Sequence, residues 1–120
     1  MNRQQTGRLG EKLARRHLET LGFTIVEANY RTRWGEIDLV AEKDAELVFV
    51  EVRTRRSRSM GTPEESITET KRSHLIAAAE EYLQNSDVRY EDWRIDLVAV
   101  ELDRSGSVSR LDVIENAIAL

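Results

Sequence analysis

Two apolar segments of the chain carry acids in alternation: Gly35-Glu36-Ile37-Asp38-Leu39-Val40 and Phe49-Val50-Glu51-Val52-Arg53. Valine, isoleucine and phenylalanine favour strands, where side chains two apart share a face. Glu36 and Asp38 are therefore predicted to point one way, and Ile37 and Leu39 the other. Glu51 and Arg53 share a face opposite Val50 and Val52. The polar stretch from Glu42 to Glu46 suits a tight hairpin turn. A turn centred on Asp44-Ala45 places Asp38 directly across from Glu51, and Glu36 across from Arg53. Opposed residues have Cβ atoms about 4.5–5.5 Å apart, where like charges destabilise the pair. Two carboxylates persist in such a place when something neutralises them, and a divalent metal is the leading candidate. Two blander readings compete: a surface ion pair between Glu36 and Arg53, and a solvated sheet face carrying Asp38 and Glu51.

Two acids beside a cation suit hydrolysis of a phosphodiester. Magnesium prefers hard oxygen ligands and keeps several waters, so one or two protein carboxylates suffice. Such an ion neutralises the phosphate and lowers the pKa of a water placed for in-line attack. A neighbouring cation stabilises the charge that develops in the transition state. A nucleophilic serine or cysteine fits less well. The chain has no cysteine, and His17 and His74 fall on helical segments outside any triad context, with packing or surface roles. No glycine-rich phosphate loop of the Walker or Rossmann type occurs.

The elements that must position these residues follow from periodicity. Leu13, Ala14, His17, Leu18 and Leu21 mark one side of a first helix that ends at Gly22. Gly7 and Gly10 lie toward its buried side, which would let it approach a sheet closely. Glu11 sits at the border of the apolar stripe, free to reach inward to the acids or outward to water. Residues 23–30 read as a strand, and the acidic hairpin adds two more. Residues 54–65, with Ser57, Ser59, Gly61 and Pro63, read as a mobile loop. A second helix spans roughly residues 66–84, with Leu75, Ala78 and Tyr82 on its stripe. Lys71 lies on that stripe too, either snorkelling at the core edge or reaching the acids. Residues 93–102 form a fourth strand and residues 108–114 a fifth, at an edge. Ile95, Leu97 and Trp93 face one side of the fourth. The order is α-β-β-β-α-β-β, an α/β layer with a mixed sheet.

Composition bounds the function classes. A chain of 120 residues makes one domain, spanning 1–120. Its 18 basic and 22 acidic residues leave it mildly acidic, so bulk charge does not advertise a nucleic-acid binder. The distribution says more. Arg53, Arg55, Arg56 and Arg58 cluster, and Arg31 and Arg33 precede the first acidic strand. A basic rim around an acidic centre is compatible with a phosphate backbone approaching a metal site, although a solvated arginine-rich loop is the plainer reading. Without cysteine there is no disulfide framework or thiolate metal site. The start of the chain has no apolar signal-peptide core, and no apolar run approaches membrane-spanning length, so the cytoplasm is the expected compartment.

An acid on one strand followed by acid-x-cation on the next resembles the PD-(D/E)xK nuclease superfamily. More narrowly, the chain resembles the YraN-type family of small bacterial proteins, predicted endonucleases distantly related to Holliday junction resolvases. The resemblance runs through Gly10-Glu11 with Ala14, Gly22-Phe23, Asn29-Tyr30-Arg31, Gly35 to Leu39, and Phe49 to Arg53 with Arg55. It continues through Gly61, Pro63, Lys71, Arg94 to Val98, and Ile114 to Ala117. It implies a restriction-endonuclease-like fold, a central mixed sheet of about five strands flanked by helices. It further implies Asp38 and Glu51 as metal ligands, Glu11 as a further acid from the first helix, Mg²⁺ or Mn²⁺ as cofactor, and DNA, branched or structured, as substrate. Glu36 matches a motif position without a clear role. Resolvases of this superfamily act as dimers, so the resemblance admits a homodimer.

One departure bears on mechanism. The motif position expected to hold lysine is Arg53. Lysine can lose a proton when its pKa is depressed, whereas arginine stays charged in proteins. Arg53 is thus expected to stabilise charge rather than shuttle protons, and Lys71 is the candidate to replace the missing lysine. The alternative is a non-catalytic nucleic-acid- or partner-binding module that retains the nuclease fold.

Overall fold

A computed structural model describes residues 1–120. Its elements are α1 (Arg3–Thr20), β1 (Thr24–Thr32), β2 (Gly35–Lys43), β3 (Glu46–Arg55), α2 (Glu69–Asn85), β4 (Trp93–Leu102) and β5 (Val108–Ile114). A single 3₁₀ turn, Glu64–Ser66, precedes α2. The sheet order is β1-β2-β3-β4-β5, antiparallel except for the parallel β3–β4 pair. That pair needs a crossover, which α2 supplies. The order α-β-β-β-α-β-β with a five-stranded mixed sheet is the expected α/β architecture, consistent with a restriction-endonuclease-like fold. Within the segment read as a loop, β3 continues through Arg55 and the 3₁₀ turn begins at Glu64.

The two helices cover opposite faces of the sheet. Ala14 and Leu18 of α1 pack with Leu39, Ala41, Val48, Val50, Val98 and Val100. Leu75, Ala78 and Ala79 of α2 pack with Ile37, Val40, Leu47, Phe49 and Ile95. β3 and β4 are therefore apolar on both faces, as strands covered on both sides must be. No helix is long and apolar enough to cross a membrane.

An asparagine cap starts α1. Asn2 Oδ1 accepts from the Gln5 amide while Gln5 Oε1 accepts from the Asn2 amide, at 2.8 Å each. The helix lies close to β3 at Gly10, where a Cβ would stand 1.8 Å from Thr54 Oγ1. Gly7, by contrast, faces open space, so it does not serve the close approach predicted for both glycines. Leu21 is likewise exposed, because the helix has ended and the chain has turned at Gly22, φ +93°.

The β2–β3 register is fixed by the turn. Asp44 and Ala45 both adopt positive φ, as a two-residue type I′ turn requires, and Lys43 pairs with Glu46. The ladder then runs in step to Leu39 opposite Val50, where it stops. Below that point β2 follows β1 instead, with Ile37 opposite Tyr30 and Glu36 opposite Arg31. The predicted opposition of Glu36 and Arg53 does not form, because β2 has parted from β3 before reaching it. Ile37 and Leu39 do not share a face either. Ile37 belongs to the α2 side and Leu39 to the α1 side. The irregularity coincides with Asn29 on β1, whose φ of 53° is left-handed.

Candidate metal and phosphate site

Asp38 sits where β2 and β3 separate. Its Oδ2 accepts the Val52 amide at 2.8 Å, satisfying a strand N–H that the interrupted ladder would leave unpaired. Glu51 follows Val50 on β3 and is 4% exposed. The hairpin register thus brings Asp38 and Glu51 side by side without a main-chain pair between them. Burial, reinforced by the neighbouring Glu51 charge, pushes the Asp38 carboxyl up from 3.8 to about 9; the Val52 amide opposes that rise. In the metal-free protein the pocket resists a second negative charge.

Glu11 comes from α1 and reaches inward. The Asn29 amide donates to Glu11 Oε1 and to Glu36 Oε1, at 2.8 Å each. One neutral side chain therefore holds two carboxylates together, and its left-handed backbone aims it there. Carboxylate oxygens of Glu11, Glu36 and Asp38 all lie within 4.8 Å of one another. This is a hard-oxygen set of the kind that suits Mg²⁺ or Mn²⁺. The geometry gathers Glu11 and Asp38 with Glu36, while Glu51 is engaged by cations. Arg53 Nε stands 3.1 Å from Glu51 Oε2, and Lys71 Nζ stands 3.5 Å from the same oxygen. Arg53 Nε makes no hydrogen bond despite being buried, so its contact with Glu51 is one of charge. Lys71 is delivered by the first turn of α2, where Thr68 Oγ1 caps its amide at 3.1 Å.

These residues line a cleft of about 700 Å³. Glu11, Glu36, Asp38 and Glu51 lie in it with Arg3, Arg53, Arg55, Arg56 and Lys71, so acids and cations face a shared space. The arginines singled out for a phosphate backbone separate into three groups. Arg55 and Arg56 line the cleft, and Arg56 also donates to the carbonyls of Met1 and Arg104 at 3.2 Å each. Arg31 is exposed beside Glu36. Arg33 and Arg58 are committed elsewhere, to Glu81 at 3.0 Å and to Glu101 at 2.6 Å. Arg58 belongs to a network in which Arg110 joins Glu64, Glu101 and Asp112, tying the segment before α2 to β4 and β5.

Sequence reasoning missed Asn29 and Arg3 as parts of the site. Asn29 lay inside the motif Asn29-Tyr30-Arg31, but no pattern announces a left-handed asparagine within a strand. Arg3 enters the cleft only because α1 crosses the end of β3. His17 and His74 lie outside the cleft, in keeping with their assignment; the His74 ring lies against Trp34.

A sequence profile of the uncharacterised protein family UPF0102 matches residues 10–100, which hold every acid of the cleft. The chain is 44% identical over 117 residues to a UPF0102 protein of Dehalococcoides mccartyi, covering 98% of this chain and 95% of the relative. It is 44% identical to a UPF0102 protein of Moorella thermoacetica, covering 98% of each. A UPF0102 protein of Dictyoglomus turgidum is 37% identical, over 98% of this chain and 99% of its own. A cleft of four acids opposed by cations is thus set within a chain that belongs, over nearly its whole length, to the YraN-like UPF0102 family.

Proposed function

We propose that this protein is a metal-dependent nuclease that hydrolyses phosphodiester bonds of DNA, acting on branched or otherwise structured molecules. The observation that carries the reading is the gathering of Glu11, Glu36 and Asp38 within 4.8 Å, facing Arg53 and Lys71 across one cleft. Glu11, Glu36 and Asp38 would hold Mg²⁺ or Mn²⁺, with Glu51 next to Asp38 as a further ligand. When bound, the cation would neutralise the phosphate and lower the pKa of a water.

The remaining work falls to the chain's own side chains. Asn29 keeps Glu11 and Glu36 convergent. Arg53 stays charged throughout and stabilises negative charge on the phosphoryl oxygens. Lys71 shares Glu51 with Arg53, so it stands where a motif lysine would act, and it alone of the two can exchange a proton. Arg3 and Arg55, which line the cleft and make no ion pairs, hold the flanking backbone phosphates.

A second reading has one observation in its favour: an arginine occupies the motif lysine position and is already drawn to Glu51. Under it the protein binds nucleic acid without cutting. Cleavage of labelled single-stranded, duplex, flap and four-way-junction DNA separates the two, run in Mg²⁺, Mn²⁺ and chelator beside Asp38→Ala. The nuclease reading expects metal-dependent cutting that Asp38→Ala abolishes. No cutting of any substrate, with binding equal in metal and in chelator, would leave the binding module.

A further inference from the structure

Trp34 stands at the tip of the β1–β2 hairpin, 43% exposed. Its backbone is nonetheless held. The Trp34 amide donates to Thr32 Oγ1 at 3.0 Å, and the Thr32 hydroxyl donates to the Gly35 carbonyl at 2.7 Å. Arg33 ties the tip to Glu81 of α2 at 3.0 Å. The indole lies beside the His74 ring, centroids 5.9 Å apart and planes inclined at 39°. An aromatic surface is therefore fixed against α2 while much of it remains open to solvent.

Both elements place this surface next to the cleft. Along the chain Trp34 precedes Glu36 by two residues, about 6–7 Å of extended backbone. Along α2, His74 follows Lys71 by three residues, about 4.5 Å of helical rise on the same side of the helix. Glu36 and Lys71 both line the cleft. Arg31, opposite Glu36, adds positive charge at the same rim. A nucleotide whose phosphate enters the cleft at Glu36 and Lys71 has its base, or its neighbour's, within reach of the indole. A base inside a continuous duplex presents only its edges, whereas stacking on a side chain requires an unstacked base.

We propose that Trp34, backed by His74, is a stacking platform for an unpaired nucleobase adjacent to the phosphate in the carboxylate cleft. The substrate class that follows is nucleic acid with a single-stranded or splayed nucleotide at that position, not continuous duplex. The phosphate end of this proposal rests on the nuclease reading, whereas its test reads binding alone.

Forked DNA carrying 2-aminopurine at successive unpaired positions is titrated with the wild type, Trp34→Ala and Trp34→Phe, in Ca²⁺ and in chelator. A blunt duplex and an RNA fork of the same sequence are run alongside. Circular dichroism and the emission of Trp93 verify that each variant is folded. Trp34→Ala is expected to weaken fork binding about ten- to a hundredfold, the range of one lost base–aromatic stack, and duplex binding less than about twofold. Trp34→Phe keeps most of the affinity. The 2-aminopurine emission is quenched at one or two positions by the wild type and Trp34→Phe, but not by Trp34→Ala. Quenching on only one of the two forks assigns the sugar. Absence of quenching at every position of both forks overturns the platform, as does equal weakening of fork and duplex, or no weakening at all. Quenching here, with no cutting of any substrate in the Mg²⁺ and Mn²⁺ cleavage assay above, removes the nuclease reading and leaves the platform standing; cutting there without quenching here does the reverse.

Discussion

Gly10→Ala isolates how tightly α1, and with it Glu11, is held to the sheet. Two effects oppose each other. Alanine within a helix is favoured over glycine by about 0.8–1 kcal/mol. Against this, the added Cβ would stand 1.8 Å from Thr54 Oγ1, 2.9 Å from Thr54 Cβ and 3.2 Å from Thr54 Cγ2. Rotating the threonine can at best turn its Hβ toward the helix, and its Cβ, fixed to β3, would still stand 2.9 Å away. Relief therefore requires the helix and strand to part. Overpacking of this kind costs typically about 1–3 kcal/mol, and contacts this short belong at the upper end. The clash wins, and Gly10→Ala should destabilise the protein by about 1–2 kcal/mol, lowering Tm by several degrees. Urea denaturation of the wild type, Gly10→Ala, Thr54→Ala and the double variant measures it. In the Thr54→Ala background only the 2.9 Å contact remains, so the penalty should shrink by about 1 kcal/mol or more, a coupling expected of residues in direct contact. A Gly10→Ala protein as stable as the wild type would refute the close approach. Equal penalties in both backgrounds would refute Thr54 as its cause.

Three further outcomes follow from the site and its surroundings. Because burial lifts Asp38 from 3.8 to about 9, the folded protein keeps a proton there that the unfolded chain has lost, so metal-free stability should fall as pH rises between about 4 and 9. Asp38→Asn should flatten that dependence and be more stable by about 1–3 kcal/mol at pH 7 in chelator; urea melts at three pH values in which the variant loses as much stability with rising pH as the wild type would contradict this. Lys71→Ala is expected to lower single-turnover cleavage by about a hundredfold or more, the scale of a lost acid–base or charge-stabilising group; unchanged cleavage by Lys71→Ala ends its role as replacement lysine. Arg110 holds Glu64 down at about 2, so their pairing stabilises the fold above the ordinary carboxylate pKa and is lost as pH falls toward 2. Arg110→Ala should cost about 1–3 kcal/mol at pH 7, leaving Glu101 to Arg58 alone, and the difference from the wild type should narrow in acid; thermal melts that keep a constant gap would count against the network.

Much of the architecture was legible because its signals are local. Helical periodicity, the glycine at 22 and alternating β-branched residues give the elements and their order. The Asp44-Ala45 turn sets a register that holds through Leu39 and Val50. What escaped prediction begins one residue later. Whether a ladder continues depends on tertiary fit, and here β2 leaves β3 to follow β1, so Glu36 meets Arg31 and Asn29 rather than Arg53. The same departure moves Ile37 to the α2 side, breaking an alternation that the sequence displays without interruption. Glu11 was ambiguous from its stripe and was marked by family resemblance; Asn29 explains how it is held. Lys71 was equally ambiguous, since a lysine at a core edge reads the same whether it meets water or Glu51. The arginines were the least legible. Five looked alike in sequence, yet Arg33 and Arg58 are occupied by Glu81 and Glu101.

A divalent-metal site formed by Glu11, Glu36 and Asp38 underlies the proposed chemistry. Titration of Mn²⁺ at pH 7, followed by the electron paramagnetic resonance of the free ion, tests it without any assumption about substrate. Binding to the wild type should be saturable, compete with Mg²⁺ and be lost, or weakened at least about tenfold, in Asp38→Asn and in Glu11→Gln, the scale expected when a ligand or its support is removed. Absence of saturable binding, or binding that both variants retain, would contradict it.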